Sequence, residues 1–251
     1  MSQFLHIPGI AVPAAPAVLS DAVVWLDAGN TSSWNSGDAT FVDLSGNSND
    51  ITVYNSPTYN SGQGGNMIFN GTNNYCDGNI SFTMTSGVIT MEMWFKPISL
   101  SESTWWNFMN YGNKNGSVGA GGRLFYGLRY LGSLDGATTQ TYRDTFYQVG
   151  NTEEKFTPNL TITTGTWNHW VSTRDNTDIK NYINGTLVRT TTHQFNPTDS
   201  YWSNVDLTLG SKDTVTAYWN FASTITRMYE KKLTATEVTD IFNWEKTRHG
   251  L

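Results

Sequence analysis

The sequence predicts an all-β protein, an antiparallel sandwich of many short strands closed by one short C-terminal helix. Three observations carry that prediction. Strand-like runs recur along the chain with clusters of turn formers between them. The composition supplies 10 Trp, 12 Tyr and 12 Phe against 14% charged residues, with Asn, Thr, Ser and Gly abundant. This is material for strands and tight turns, with little for long helices. Only at the C-terminus does the apolar period change from two to that of a helix.

Residues 1–20, MSQFLHIPGIAVPAAPAVLS, hold three of the 7 prolines and almost no charge. Such a segment is extended and has little structure alone. It lies along another protein, or it is a disordered start or a strand that closes the sheet edge. We therefore divide the chain into an N-terminal arm, 1–20, and one domain, 21–251. VVWLD (23–27) reads as the first buried strand, and DLSGNSND (43–50) and NSGQGGN (60–66) read as loops. ITMEMWF (89–95) alternates: Ile89, Met91, Met93 and Phe95 face one way, Thr90, Glu92 and Trp94 the other.

The strand signals WNFMNYG (106–112), RLFYGLRYL (123–131), TYRDTFYQV (141–149) and TWNHWVSTRD (166–175) follow. In NYINGTLV (181–188), Asn184-Gly185 tolerates the two positive-φ positions of a type I′ turn and predicts a hairpin. LTLG (207–210) and FASTITRMY (221–229) complete the strands. Thr234 and Glu237 then form a capping box. Val238, Ile241 and Phe242 share a helical face, Arg248 and His249 sit in the last turn, and Gly250 suits the exit.

The chemistry that the sequence excludes narrows its function. A net charge of −6 without a basic run argues against nucleic acid as a partner. The one cysteine, Cys76, precludes an intrachain disulfide, reads as a core residue and points to folding in a reducing cytoplasm. The first residues lack the charged start of a secretion signal, and no stretch approaches a membrane span, so neither export by that route nor membrane insertion is expected.

Glycoside hydrolysis needs two carboxylates flanking one bond. No Glu here has an acidic residue two or four positions on, and Glu92 is the lone strand-centre carboxylate, so no catalytic residue is assigned. His6, His169, His193 and His249 offer no zinc spacing. Asp43, Ser45 and Asn47 match the start of an EF-hand loop, but Ser48 and Tyr54 stand where Gly and Glu are required. These side chains are expected to form Asx turns. No metal site or cofactor is assigned; a rim calcium held by loop oxygens stays open.

Adjacent aromatics supply the candidate ligand-binding residues, Trp105, Trp106, Tyr201 and Trp202. Strand neighbours point to opposite faces, so one of each pair leaves the core. Exposed flat rings suit a sugar or a partner protein. The alternative is that both pairs cap the ends of a large core.

GTWNHWVSTRD, KNYINGTLV, LTLGS and FASTITRMYEKKLTATEVTDIFNWEKTRHGL, taken together, resemble the laminin-G-like domains of the concanavalin-A-like jelly-roll superfamily. VVWLDAGN, FVDLSGNSND and FNGTNNY are similar to that family's opening strands and loops, so the likeness runs from about Ala22 to Leu251. It implies two antiparallel sheets packed as a jelly roll, with binding on one rim or the concave face. It implies no catalysis, since the enzymatic members' Glu-x-Asp-x-x-Glu strand motif is missing. In FNGTNNY, Asn73 and Asn74 stand where calcium-binding members commonly carry acids.

The tail carried by Lys246, Arg248, Gly250 and Leu251 resembles that of bacteriophage and other viral members. This likeness implies a virion surface module of decoration or fibre type, assembled in a host cytoplasm. Its partners would be other virion proteins, engaged through the arm, and cell-surface glycans. The first alternative is a stand-alone carbohydrate-binding module; the second is a glycan hydrolase or lyase with an atypical site.

Overall fold

The computed structural model describes residues 14–81, 87–99, 105–112, 125–131, 141–147, 154–192, 205–213 and 216–251. The chain begins with β1 (Ala22–Asp27), β2 (Thr40–Phe41), β3 (Ile51–Tyr54), β4 (Thr58–Asn60), β5 (Asn66–Asn70) and β6 (Tyr75–Ile80). The long β7 (Ile89–Pro97) leads to β8 (Trp105–Gly112), β9 (Phe125–Leu131), β10 (Thr141–Tyr147) and β11 (Glu154–Leu160). Next come β12 (Asn168–Arg174), β13 (Asp178–Ile183), β14 (Thr186–Thr192) and β15 (Val205–Leu209). A short β16 (Ser211–Asp213) and β17 (Thr216–Tyr218) precede β18 (Asn220–Tyr229), and α1 (Ala235–Glu245) follows.

Two 8-stranded antiparallel sheets result. Sheet A runs β14-β13-β12-β7-β18-β5-β4, with β1 also on β18; sheet B runs β11-β10-β9-β8-β15-β6-β3-β2. The sequence expectation of an antiparallel jelly-roll sandwich with one C-terminal helix is met. The alternation read in β7 is also met. Met91, Met93 and Phe95 enter the core between the sheets with Met109, Leu207 and Leu209 of sheet B. Each such buried side chain contributes about 1.5–3 kcal/mol of transfer free energy. Phe69 and Phe221 stack there with centroids 4.6 Å apart.

The other face of β7 is not solvent. Helix α1 lies over it, its Thr234 cap closing both halves of the predicted capping box. Val238 and Ile241 pack with Val171, Tyr182 and Tyr229 of sheet A. Ala17–Asp21, at the end of the segment expected to be an extended arm, forms a 3-10 turn that buries Val18 and Leu19 in the same cluster. These two apolar residues join the surface that α1 and sheet A already bury between them. A groove of about 480 Å³ separates this turn from Asp240 and Trp244 of α1. Residues 1–13, which hold most of the expected arm, lie outside the described residues.

The predicted hairpin joins β13 to β14, with Asn184 at φ 50° and Gly185 at φ 75°. Its turn is tied back to the sheet, because the Asn184 side chain accepts the backbone N–H of His169 at 2.9 Å.

Candidate functional site

Of the four aromatics singled out in the sequence, two fall on a described strand. Trp105 and Trp106 open β8 opposite Leu131 and Tyr130. Tyr201 and Trp202 lie outside the described residues.

The structure brings three other aromatics together. Along β3, Ile51 and Val53 enter the core, which turns Thr52 and Tyr54 to the outer face of sheet B. Along β6, Cys76 and Ile80 are buried and Tyr75 faces out. Tyr54 and Tyr75 are cross-strand partners, and their rings stack with centroids 4.3 Å apart at an interplanar angle of 8°. Tyr218 of β17 stands beside them, 6.0 Å from Tyr75. Tyr54 is 36% exposed, so this tyrosine group shows a flat ring surface to solvent.

Asparagines position the group. Asn74 is buried; its Oδ1 accepts the Asn70 N–H at 3.0 Å and its amide donates to the Asn55 carbonyl at 2.5 Å. The Asn55 amide in turn donates to the Asn73 carbonyl at 2.7 Å. Asn55 and Ser56 turn with φ of 61° and 51°. The FNGTNNY loop and the turn after β3 are thereby clasped, which holds Tyr54 against Tyr75. The local signals were legible as strand alternation and Asn-rich turns, but nothing in the sequence said that these two strands pair.

Deeper on the same face lies a row of non-apolar positions. Thr52 pairs with Asp77, Asp77 with Thr208, Thr208 with Asn110 and Asn110 with Gly127. Asp77, Thr208 and Asn110 are 6%, 2% and 6% exposed. Thr208 Oγ1 donates to Asp77 Oδ1 at 3.0 Å, whereas Asn110 Oδ1 has no hydrogen-bond partner.

A second cluster of charged residues lies under α1. Arg227 Nη1 donates to Glu92 Oε1 at 2.7 Å and Nη2 donates to Glu245 Oε1. Tyr229 donates to Glu92 Oε2 at 2.9 Å, and Trp94 Nε1 to Glu245 Oε2 at 2.6 Å. His169 Nε2 lies 3.2 Å from Glu92, and His249 stacks on Trp94 at 3.8 Å. Burial alone would raise the Glu92 carboxyl, but Arg227, His169 and Tyr229 hold it down at about 2. One guanidinium cannot neutralise two carboxylates in full. Burial together with the charge on Glu92 therefore pushes Glu245 up against the pull of Arg227.

Glu92 and Glu245 are the carboxylate pair that spacing along one strand could not reveal. Acceptor atoms of Glu92, His169 and Glu245 lie within 4.8 Å of one another, close enough to suggest a metal set. The donor set does not fit one. Each carboxylate oxygen already accepts from Arg227, Tyr229 or Trp94, so a cation would have to displace a buried guanidinium. The pair is 0% and 2% exposed, out of a substrate's reach. Its role is to dock α1. In the loop expected to form Asx turns, Asp43 does so: it accepts from Trp25 N, Ser45 N, Ser45 Oγ and Asn49 N, which occupies both oxygens.

Comparison with known families gives a match over residues 69–239 to a model of the concanavalin A-like lectin/glucanases superfamily, laminin G type. The chain belongs to that superfamily. No curated protein matches it by sequence. Among solved structures, this lectin-like chain is similar to Trypanosoma rangeli sialidase in complex with sialic acid (13% identity, TM-score 0.67, 98% of this chain and 36% of that one). It is also similar to the binding domain of botulinum neurotoxin serotype D (13%, 0.64, 89% and 52%). The ligand-binding domain of the same toxin serotype in complex with N-acetylneuraminic acid matches at 14%, TM-score 0.64, 89% and 51%. The chain thus spans about a third to half the length of these proteins, and at such identities the likeness is one of fold.

Proposed function

We propose that this superfamily member is a non-catalytic carbohydrate-binding module that receives a sugar ring on the Tyr54–Tyr75–Tyr218 surface. One observation carries the reading: an exposed, pre-stacked tyrosine group on the outer face of a lectin-like sheet, fixed by an asparagine clasp. Stacked rings give a pyranose its apolar face, and hydroxyls at the ring edges give it hydrogen bonds. Pre-stacking lowers the ordering cost of binding. The carbohydrate complexes among the similar structures support the ligand class. The inaccessibility of the Glu92–Glu245 pair supports the absence of catalysis. Nothing among the described residues favours attachment to a virion through the arm over a free module.

The test is retention of the purified protein on immobilised polysaccharides, with and without EDTA, with released sugar ends assayed in parallel. Retention without release is expected, and Tyr54→Ala combined with Tyr75→Ala should weaken it about tenfold or more. Undiminished retention by that double variant would place the site elsewhere, with Trp105 as the next residue to change. Loss of retention in EDTA would bring back the rim calcium. Sugar release that survives Glu92→Gln would overturn the non-catalytic reading and clear Glu92 of a part in it.

A further inference from the structure

We infer that Asn70 is a self-modification site: its side-chain amide closes on the Gly71 nitrogen, loses ammonia and leaves an aspartyl or isoaspartyl residue at the base of the FNGTNNY loop. Asn70 is exposed, and the residue after it has no Cβ to shield the attacking nitrogen. What distinguishes this Asn-Gly pair is the seat of its side-chain oxygen. Asn70 Oδ1 accepts three backbone N–H groups, from Thr72 at 2.8 Å, Asn73 at 3.1 Å and Asn74 at 3.3 Å. The amide nitrogen donates to Asn73 Oδ1 at 2.9 Å, which fixes the orientation of the amide plane.

Those three donors form an oxyanion hole. Hydroxide removes the Gly71 amide proton, and the nitrogen lone pair attacks Asn70 Cγ, which pushes the C=O electrons onto Oδ1. Backbone N–H groups already aimed at the atom on which charge develops stabilise it without reorganisation. The tetrahedral carbon then expels the side-chain nitrogen, which takes a proton from water and leaves as ammonia, and a five-membered imide remains. Water opens the imide. Cleavage of its Cγ–N bond gives aspartate, and cleavage of the bond from N to the Asn70 backbone carbonyl carbon gives isoaspartate. The sum is one amide and one water converted to a carboxylate and ammonium.

Asn184-Gly185 is the control within the same chain. Its Asn Oδ1 accepts one backbone N–H, from His169, and both residues are half-buried. The Phe242 ring lies 2.9 Å from where a Gly185 Cβ would stand. This pair has the sequence without the hole. At Asn70 the product also has a consequence. The Asn70 N–H is held by Asn74 Oδ1, in the clasp that seats Tyr54 on Tyr75, and an isoaspartyl link lengthens the main chain there by one carbon. That consequence, unlike the reaction, rests on the glycan-binding reading above.

The experiment holds the intact chain in mildly alkaline buffer, with and without denaturant. Mass spectrometry follows the peptides that contain Asn70 and Asn184, with isoaspartate labelled by its specific carboxyl methyltransferase. In the folded chain Asn70 should deamidate about tenfold faster than Asn184, about 1.4 kcal/mol in barrier height, and at least as fast as in denaturant. Equal rates at the two sites of the folded chain, or slower reaction of Asn70 there than in denaturant, would overturn the inference. The modified chain, separated by its added negative charge, is then applied to the immobilised polysaccharides. Weaker retention than that of the unmodified chain is expected. Equal retention would overturn the link to the tyrosine surface and leave the reaction standing, whereas an unmodified chain retained on none of them would overturn the glycan-binding reading instead.

Discussion

Arg248 forks onto Asp27 across nearly the whole chain, Nη1 to Oδ2 at 2.8 Å and Nη2 to Oδ1 at 2.6 Å. Nη2 also donates to the Gly64 carbonyl at 3.0 Å. The seat requires glycine at Gly64, whose φ is +79° and whose missing Cβ would stand 2.5 Å from the Arg248 side chain. The tail that carries Arg248 is therefore, in this fold, a latch that joins the C-terminus to β1.

Arg248→Ala should destabilise the domain by about 2–3 kcal/mol, the scale of hydrogen bonds to a charged group in a largely buried setting. Arg248→Lys should recover only part of that, since an ammonium cannot form the fork. Urea denaturation of the two variants checks this, and a lysine variant as stable as wild type would refute the role of the fork.

Acid should loosen the seat of α1 through His249. Burial, then the neighbouring Arg248, lowers its imidazole from 6.5 to about 3. Between those values the unfolded chain takes up a proton that the folded chain refuses. Stability therefore falls as pH drops through that window, with a limiting slope of about 1.4 kcal/mol per pH unit. Glu245 acts with the opposite sign. Its folded carboxyl is raised above 4.5, so the folded state holds the extra proton and stability is lost as pH rises past 4.5. Glu92 contributes stability above 4.5 that disappears as pH falls toward about 2. Denaturation midpoints measured from pH 7 to 4.5 should flatten in His249→Gln and steepen in Glu245→Gln. Profiles parallel to wild type in both would exclude this pair as the titrating groups.

At the hairpin, Gly185→Ala should be costly for two reasons. The residue sits at φ +75°, and a new Cβ would lie 2.9 Å from the Phe242 ring of α1. The left-handed backbone alone costs a non-glycine residue about 1–2 kcal/mol. Calorimetry should show a clear loss of Tm, and an unchanged Tm would mean that turn and helix do not press on one another.

Thr234→Ala should remove about 1 kcal/mol by deleting the cap acceptor for Glu237 N, 3.2 Å away. The effect should be local, with amide exchange accelerated over Ala235–Val238 well before the strands of sheet A. Uniform acceleration across the sheet would show instead that helix and sheet open as one unit.

The sequence by itself determined the elements and their inward faces. Period-two alternation in ITMEMWF, Asn184-Gly185 at a turn and Thr234 with Glu237 at a helix start are local rules, satisfied within a few residues, and each holds in the fold. What lies on the outer faces was decided only by tertiary pairing. Val53, Cys76, Leu209, Met109 and Leu128 form one cross-strand row in the core; one residue along, Thr52, Asp77, Thr208, Asn110 and Gly127 form the polar row outside. A one-residue change of register would exchange the two rows, and no single strand carries the register of its neighbours.

The same limit explains why Glu92, read as a lone strand carboxylate, meets Arg227 and Glu245, 135 and 153 positions further along the chain. It explains, too, why the visible aromatic doublets did not reveal the tyrosine group. A doublet is a fact of adjacency in sequence, whereas Tyr54, Tyr75 and Tyr218 meet only because β3, β6 and β17 are brought together by the packing of the whole sandwich.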